Sequence, residues 1–354
     1  MVGDVIESLR LQDFRCFPQV ELSLAPQGAV FLGENAQGKT SLLEAVCVLL
    51  RLQSPRARQL GQLIRKGMGD FGVAGTTSEH DLKVRGDRRQ LKLSLDQAEI
   101  TQRREYLEQS GVVVWMGNSD LELIRGGGEA RRRYLDFLAA QIDPEYRRHW
   151  LRYRKALQLR NRVLKESRID EGELRSFTLL LLEHGGELIR RREGICEKLG
   201  PLVGKAHGEI SQETEKMELV YLDRSKGDLD AAFAAVEESE RRRGVTLAGP
   251  HRDDLLLEVA GEAARDFASE GQQRTLALAL KLAQGELLRE DGRREPVYLI
   301  DDIFGELDQG RRNALMKSLP NQSQKLVTTT NLDWWTEQAG LPVLRVREGG
   351  VSPR

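Results

Sequence analysis

Residues 33–40 read Gly33-Glu34-Asn35-Ala36-Gln37-Gly38-Lys39-Thr40 and match G-x-x-x-x-G-K-T, the pattern of a phosphate-binding loop. The apolar run at 28–32 suits a buried strand, and residues 41–50 have the apolar spacing of a helix. Two glycines let the backbone wrap a polyphosphate, so that N–H groups and the helix N-terminus face its oxygens. Lys39 is expected to reach the β- and γ-phosphates, and the Thr40 hydroxyl to bind Mg²⁺. The sequence therefore predicts a nucleotide site that includes Ser41.

Composition limits the class of protein to which this loop belongs. The chain has 354 residues, of which 31% are charged, yet its net charge is only −1, so a basic surface requires local segregation of charge. Cys16, Cys47 and Cys196 lie far apart and predict reduced thiols rather than a disulfide or zinc framework. We find no apolar signal core at the start and no run long enough to cross a membrane. We expect a cytoplasmic protein with no membrane partner.

The segments on either side of the loop alternate polar and apolar residues, as β-strands do. Residues 4–32 predict a strand pair with Arg15 at its turn, and Arg15 is interpreted either as an ATP contact or as a solvated turn residue. Residues 51–115 predict an antiparallel β-layer beside the nucleotide sheet. Basic residues recur along it, which fits a DNA-facing surface or, more commonly, an ordinary solvated sheet face: Lys83, Arg85, Arg88, Arg89 and Lys92.

Residues 129–244 predict a helical lobe with little sign of a strand. Apolar residues recur there at helical spacing, and His184, which interrupts them, is expected to be partly exposed. The segment 131–168 holds twelve Arg or Lys residues against four acidic ones. Such a strip suits a nucleic-acid backbone, although charges neutralised elsewhere in the fold would give the same pattern. The candidate DNA contacts are Arg131, Arg132, Arg133, Arg147, Arg148, Arg152 and Arg154.

Two further motifs follow the lobe. Ser269-Glu270-Gly271-Gln272-Gln273 precedes an apolar helix predicted from Thr275 to Leu288, and a polar glycine-containing turn at a helix N-terminus suits an anion. The strand 297–300 ends in Asp301 and Asp302. The first carboxylate is placed to hold Mg²⁺, and the second to orient or deprotonate a water. ABC-type ATPase heads have their motifs in the same order as this chain: a phosphate loop, a long insertion, Ser-x-Gly-Gln-Gln, a strand that ends in Asp-Asp, and then Glu306-Leu307-Asp308.

Over essentially its full length the chain also resembles the RecF family of bacterial recombination mediators. The resemblance is carried by residues 13–15, the phosphate loop with residues 41–45, Arg131–Asp136, Gly249-Pro250-His251-Arg252-Asp253-Asp254, residues 269–275 and residues 299–308. The Gly-Pro-His-Arg-Asp-Asp block and the double glutamine distinguish this family from transporter ATPases and SMC heads.

The resemblance implies an ABC-type head that dimerises when ATP is bound. Ser269, Gly271 and Gln272 of one subunit would face the γ-phosphate held by Lys39 of the other. Asp301 would bind Mg²⁺, Asp302 would act on the catalytic water, and hydrolysis would be slow. The family binds double-stranded DNA and single-strand gap junctions, and works with RecR and RecO to help load RecA.

The sequence departs from the family pattern at residues 115–121, at Glu270, at Gly305 and at 328–331, where a histidine is common in ABC proteins. We expect an α/β ABC-type ATPase head with a P-loop sheet, an antiparallel β-layer and an inserted helical lobe. The predicted divisions are 1–128, 129–244 and 245–354, and Trp334 and Trp335 are assigned to packing. The alternatives are an SMC-like or a transporter-like ABC ATPase head without a role in DNA repair.

Overall fold

The computed structural model describes residues 5–211, 216–291, 294–332 and 340–353. It divides into two compact units, Met1–Asp120 with Gln284–Arg354, and Leu121–Ala283. Within the described ranges no helix is long and apolar enough to cross a membrane. Trp334 and Trp335 lie outside the described residues.

The first unit contains a six-stranded sheet in the order β15-β14-β3-β13-β12-β8. Five neighbouring strands run parallel, and β15 pairs antiparallel with β14. β12 is mostly apolar, and both β12 and β13 are almost wholly buried, as expected of central parallel strands. The helices α1 and α10 also belong to this unit. The bounds are β3 Gly28–Leu32, α1 Lys39–Arg51, β8 Val113–Gly117, β12 Val297–Asp301, α10 Gln309–Ser318, β13 Lys325–Thr329, β14 Val343–Arg347 and β15 Gly350–Pro353.

The second sheet of this unit is antiparallel, in the order β2-β1-β4-β5-β6-β7. Alternate residues of β5 are exposed and buried, as the alternating sequence predicts. The predicted strand pair at the start of the chain forms, but it belongs to this sheet, because β1 pairs with β4. The bounds are β1 Ile6–Phe14, β2 Phe17–Ser23, β4 Phe71–Thr77, β5 Asp81–Gly86, β6 Leu91–Leu95, β7 Ala98–Ile100 and the helix α2 Arg103–Gln109.

The second unit is mainly helical but also contains a three-stranded sheet, β11-β10-β9. The long helices α5 and α6 pack against each other. The bounds are α3 Glu122–Arg125, α4 Gly128–Ile142, α5 Pro144–Val163, α6 Glu171–Ser211, β9 Met217–Leu222, α7 Leu229–Arg243, β10 Asp254–Val259, β11 Glu262–Ala263, α8 Ala264–Phe267 and α9 Glu270–Glu290.

Two expectations about this unit need correction. β9 lies inside the segment expected to lack strands, and it pairs along its length with β10. The compact unit itself ends within α9, at Ala283, whereas the helical lobe was predicted to end at residue 244. His184 is buried rather than partly exposed, with its Nδ1 3.2 Å from Nδ1 of the buried His149.

Candidate nucleotide site and neighbouring motifs

The phosphate loop joins β3 to α1, which places α1's N-terminus at the carboxyl end of a central parallel strand. Gly38 adopts φ 106°, and a Cβ there would lie 2.6 Å from Cys16 Sγ. A Cβ on Gly33 would lie 2.4 Å from the Val346 carbonyl oxygen. Both positions therefore require glycine, which leaves the backbone N–H groups of the loop open to an anion.

Lys39 is folded into this loop. Its Nζ donates to the carbonyl oxygens of Gly33 at 2.5 Å and Glu34 at 2.8 Å. Burial lowers the pKa of Lys39, while the charges of Asp302 and Asp301 oppose that shift. A buried ammonium group held by two backbone carbonyl oxygens of the loop suits a phosphate oxygen.

Asp301 ends β12 and connects three elements. Its Oδ1 accepts from the Thr40 hydroxyl at 2.8 Å and from the Thr328 hydroxyl, at the end of β13, also at 2.8 Å. A carboxylate beside a threonine hydroxyl is an oxygen donor set of the kind Mg²⁺ takes together with water and phosphate oxygens. Thr40 and Asp301 therefore fit the predicted metal role.

Asp302 has a left-handed backbone, φ 52°, which is uncommon for residues other than glycine. Its backbone N–H donates to Thr328, at 3.0 Å to the hydroxyl and 3.3 Å to the carbonyl oxygen. Burial raises the pKa of this carboxyl, and Lys39 partly offsets the rise. A strained backbone and a raised pKa together are typical of a functional carboxylate.

A cavity of about 510 Å³ opens beside the loop and includes Asp302 in its wall. Five of the residues predicted to bind the nucleotide also line this cavity: Asn35, Ala36, Lys39, Thr40 and Ser41. It also has lining residues that the sequence analysis missed, because they lie in an irregular segment with no motif to mark them: Arg56, Gln62, Ile64 and Lys66. Two exposed cations there add positive charge to a site suited to a polyphosphate.

Arg15 lines the same cavity, but its guanidinium is already engaged. Nε and Nη2 donate to the two carboxylate oxygens of buried Glu44 at 2.7 and 2.6 Å, and Nη1 donates to the Gln62 carbonyl oxygen at 2.6 Å. The residue therefore also braces the loop-bearing helix α1 against the irregular segment. Neither earlier interpretation included this role.

The Ser-x-Gly-Gln motif, in the second unit, forms the start of α9. Ser269 Oγ accepts from the Gln272 N–H at 3.3 Å, and Gln272 Oε1 accepts from the Ser269 N–H at 2.9 Å. This is a capping box. The helix begins at Glu270 rather than at the predicted Thr275, so Gly271 lies in its first turn.

Some of the arginines predicted to contact DNA are buried or half-buried in the structure. Arg131 is buried, and its Nε and Nη2 donate to Asp254 at 2.8 and 2.9 Å, which corrects its assignment as a DNA contact. Arg132 is half-buried and donates to the Asp253 carbonyl oxygen at 2.6 Å. Arg147 is also half-buried, whereas the remaining predicted residues are exposed: Arg133, Arg148, Arg152 and Arg154.

A phosphate loop at a parallel β-strand, an Asp-Asp strand end beside it and a capped Ser-x-Gly-Gln helix start define an ABC-type ATPase head. Solved SMC heads share this fold: one bound to the C-winged helix domain of ScpA matches 98% of this chain and 96% of its own length, with TM-score 0.57 and 16% identity.

The profile of the RecF/RecN/SMC N-terminal domain matches residues 5–350. The DNA replication and repair protein RecF of Bacillus cereus strain AH820 is 36% identical over 348 residues, 93% of this chain and 92% of the relative. A solved structure of the recombination mediator protein RecF with ATP has TM-score 0.89 and 27% identity, and the match covers 100% of this chain and 98% of that one. The chain belongs to the RecF family.

Proposed function

We propose that this chain is an ATP-dependent DNA-binding protein of recombinational repair and replication-fork maintenance. The observation that supports this most directly is the convergence of Thr40 and Thr328 on Asp301 beside Lys39, because it brings phosphate and metal ligands to one edge of one sheet. The related RecF described as bound to ATP supports the same nucleotide here.

In this proposal ATP binds to the loop residues 33–41, with Lys39 on its β- and γ-phosphates. Thr40 and Asp301 would hold Mg²⁺, which when bound neutralises charge on the phosphates. Asp302 accepts a proton from, or orients, the attacking water. Its short side chain and the absence of a histidine at 328–331 suit slow hydrolysis that acts as a switch, with stimulation by DNA.

The second part of the proposal is that ATP drives formation of a homodimer. The γ-phosphate held by Lys39 of one subunit would be met by Ser269, Gly271 and Gln272 of its partner. The capped start of α9 supports this role, because Ser269 and the first-turn N–H groups form an anion-binding end of a long helix.

The dimer would act as a clamp on double-stranded DNA and at single-strand gap junctions, with RecR as a direct partner and RecO and RecA as functional ones. The exposed arginines of α4 and α5 are the proposed DNA contacts. They supply cations without bound carboxylates at most positions, as counterion release requires.

Sedimentation and DNA binding with ATP and Mg²⁺ test the proposal, comparing the wild type with Lys39→Met and Ser269→Arg. We expect dimers and tighter DNA binding with ATP in the wild type only. Lys39→Met should lose ATP binding itself, whereas Ser269→Arg should bind ATP as a monomer. A wild type that stays monomeric with ATP and binds DNA no better would exclude the clamp, and ATP turnover indifferent to DNA would favour a transporter-like head.

A further inference from the structure

The outer face of the antiparallel sheet has a trough that the proposed nucleotide and DNA sites leave unused. It lies over β2, β1, β4, β5 and β6 and encloses about 610 Å³. Gly72 and Ala74 of β4 form its floor, because neither has a side chain that rises above the sheet. Arg10 and Gln12 of β1 stand on one side and Lys83 and Arg85 of β5 on the other.

The strand register places these cations in two rows. Arg10 pairs across Ala74 with Lys83, and Gln12 pairs across Gly72 with Arg85. β1 and β5 are two strand spacings apart, about 10 Å, and the two rows are about 7 Å apart along the strands. A carboxylate above Ala74 is therefore within reach of cations on both sides, and a second one, about 7 Å further on, can lie above Gly72 beside Arg85.

The cations are available to a partner. Arg10, Lys83 and Arg85 are exposed, and none of the three forms an ion pair with another described residue. Asp81, at one end of the trough, is instead held by the Thr76 hydroxyl at 2.9 Å, and Thr76 is in turn bonded to Ser8. Exposed Glu21 of β2 is the cross-strand neighbour of Arg10, whereas Lys83 and Arg85 have only uncharged or basic neighbours on β4 and β6.

We propose that this trough binds an extended acidic segment of a partner protein, with acidic side chains at positions i and i+2. Same-side residues of an extended chain repeat every 6.4–6.8 Å or so, which matches the spacing of the two rows. Glu21 beside Arg10 and Asp81 two residues before Lys83 confine the positive charge to a small area, which suits a short acidic segment better than a uniformly charged nucleic-acid backbone. None of the described residues that line the trough is aromatic, so they offer no surface on which bases could stack, as single-strand sites require. The inference stands independently of the proposed clamp.

Fluorescence anisotropy with two labelled peptides tests it: Gly-Ser-Glu-Ser-Glu-Ser-Gly, and Gly-Ser-Ser-Glu-Glu-Ser-Gly, which has the same composition with adjacent glutamates. We expect the alternating peptide to bind several-fold more tightly. The double variant Arg10→Gln, Lys83→Gln should weaken its binding roughly three- to tenfold, as loss of two surface ion pairs predicts. The matched variant Arg88→Gln, Arg89→Gln, in the exposed turn between β5 and β6, should leave it within about twofold.

Retained ATP binding by both variants checks that they are folded. The inference would be overturned if the two double variants weakened binding of the alternating peptide equally, or if the wild type bound the two peptides with equal affinity. Either result would show non-specific electrostatic attraction rather than a defined binding site. A DNA oligonucleotide that displaces the peptide from the wild-type protein, and that binds the Arg10→Gln, Lys83→Gln variant more weakly than the wild type, would also overturn the inference. That result would assign the trough to nucleic acid.

Discussion

At the scale of single residues, Asp302 offers the sharpest test of catalysis. Its pKa is raised by burial, and a general base works only when unprotonated, so hydrolysis should fall as the pH drops through that raised pKa. Asp302→Asn should slow single-turnover ATP hydrolysis by about 10²–10⁴ and remove this acid limb, while ATP binding persists. Single-turnover rates measured from pH 4.5 to 8 provide the check.

Asp302→Glu is the matched control, because it keeps a carboxylate and should keep an acid limb at reduced rate. If Asp302→Asn hydrolysed ATP at the wild-type rate with the same pH profile, Asp302 would have no role in activating water. The acid limb would then belong to another group.

The roles of the phosphate-loop residues could be predicted from the sequence, because they form one contiguous motif. The partners of the buried arginines could not be predicted in this way. Arg131 bonds to Asp254, and Arg160 forms a 2.6 Å ion pair with buried Glu240. These partners are far apart along the chain, so a basic run in the sequence combines arginines that hold the unit together with arginines that face solvent.

At the scale of elements, α3 fastens the start of α9. Arg125 Nε donates to Gln273 Oε1 at 2.7 Å, and its Nη2 lies 3.2 Å from Glu270 Oε1. Gln273 Nε2 in turn donates to the Ala268 carbonyl oxygen at 2.9 Å. Because this chain of contacts ends one residue before Ser269, we expect it to set the position of the motif.

Arg125→Ala should therefore weaken ATP-dependent self-association about tenfold or more, as loss of a charged hydrogen bond predicts, while the monomer's affinity for ATP stays unchanged. Arg125→Lys should recover part of the loss. Arg190→Ala removes a comparable exposed pair with Glu187 on α6 and serves as the control. Sedimentation equilibrium with ATP measures the effect, and equal dimer affinity in Arg125→Ala and Arg190→Ala would contradict the positioning role.

The alternation of β5 and the apolar run of β12 predicted their elements, because one face of β5 and both faces of β12 are buried. β9 gave no such signal. Its residues are all partly or fully exposed, and its pairing with β10 comes from a partner more than thirty residues away in sequence. A strand whose stability depends on distant pairing leaves little local pattern.

At the scale of the whole molecule, charge is divided unevenly along the chain. The net charge of the chain is −1, yet residues 131–168 hold twelve basic residues against four acidic ones. The excess of positive charge in this segment is therefore balanced by acidic residues elsewhere in the chain. The order of the motifs predicted an ATPase head interrupted by an insertion, and the first compact unit combines segments from both ends of the chain. The second unit extends beyond residue 244, because β10 continues the sheet of β9.

The exposed part of the basic strip should dominate the salt dependence of DNA binding. Arg152 and Arg154 are exposed on α5, and Arg154 lies over the Trp150 ring. If each arginine neutralises one phosphate, the double variant Arg152→Gln, Arg154→Gln should make the negative slope of log K against log salt shallower by about 2. Each phosphate contact contributes about 0.9 to the magnitude of that slope. The matched pair Arg242→Gln, Arg243→Gln, exposed at the end of α7, removes the same charge from the molecule. Equal slopes for the two variants would mean that DNA responds to total charge and not to this strip, and the DNA-binding face would have to be sought elsewhere.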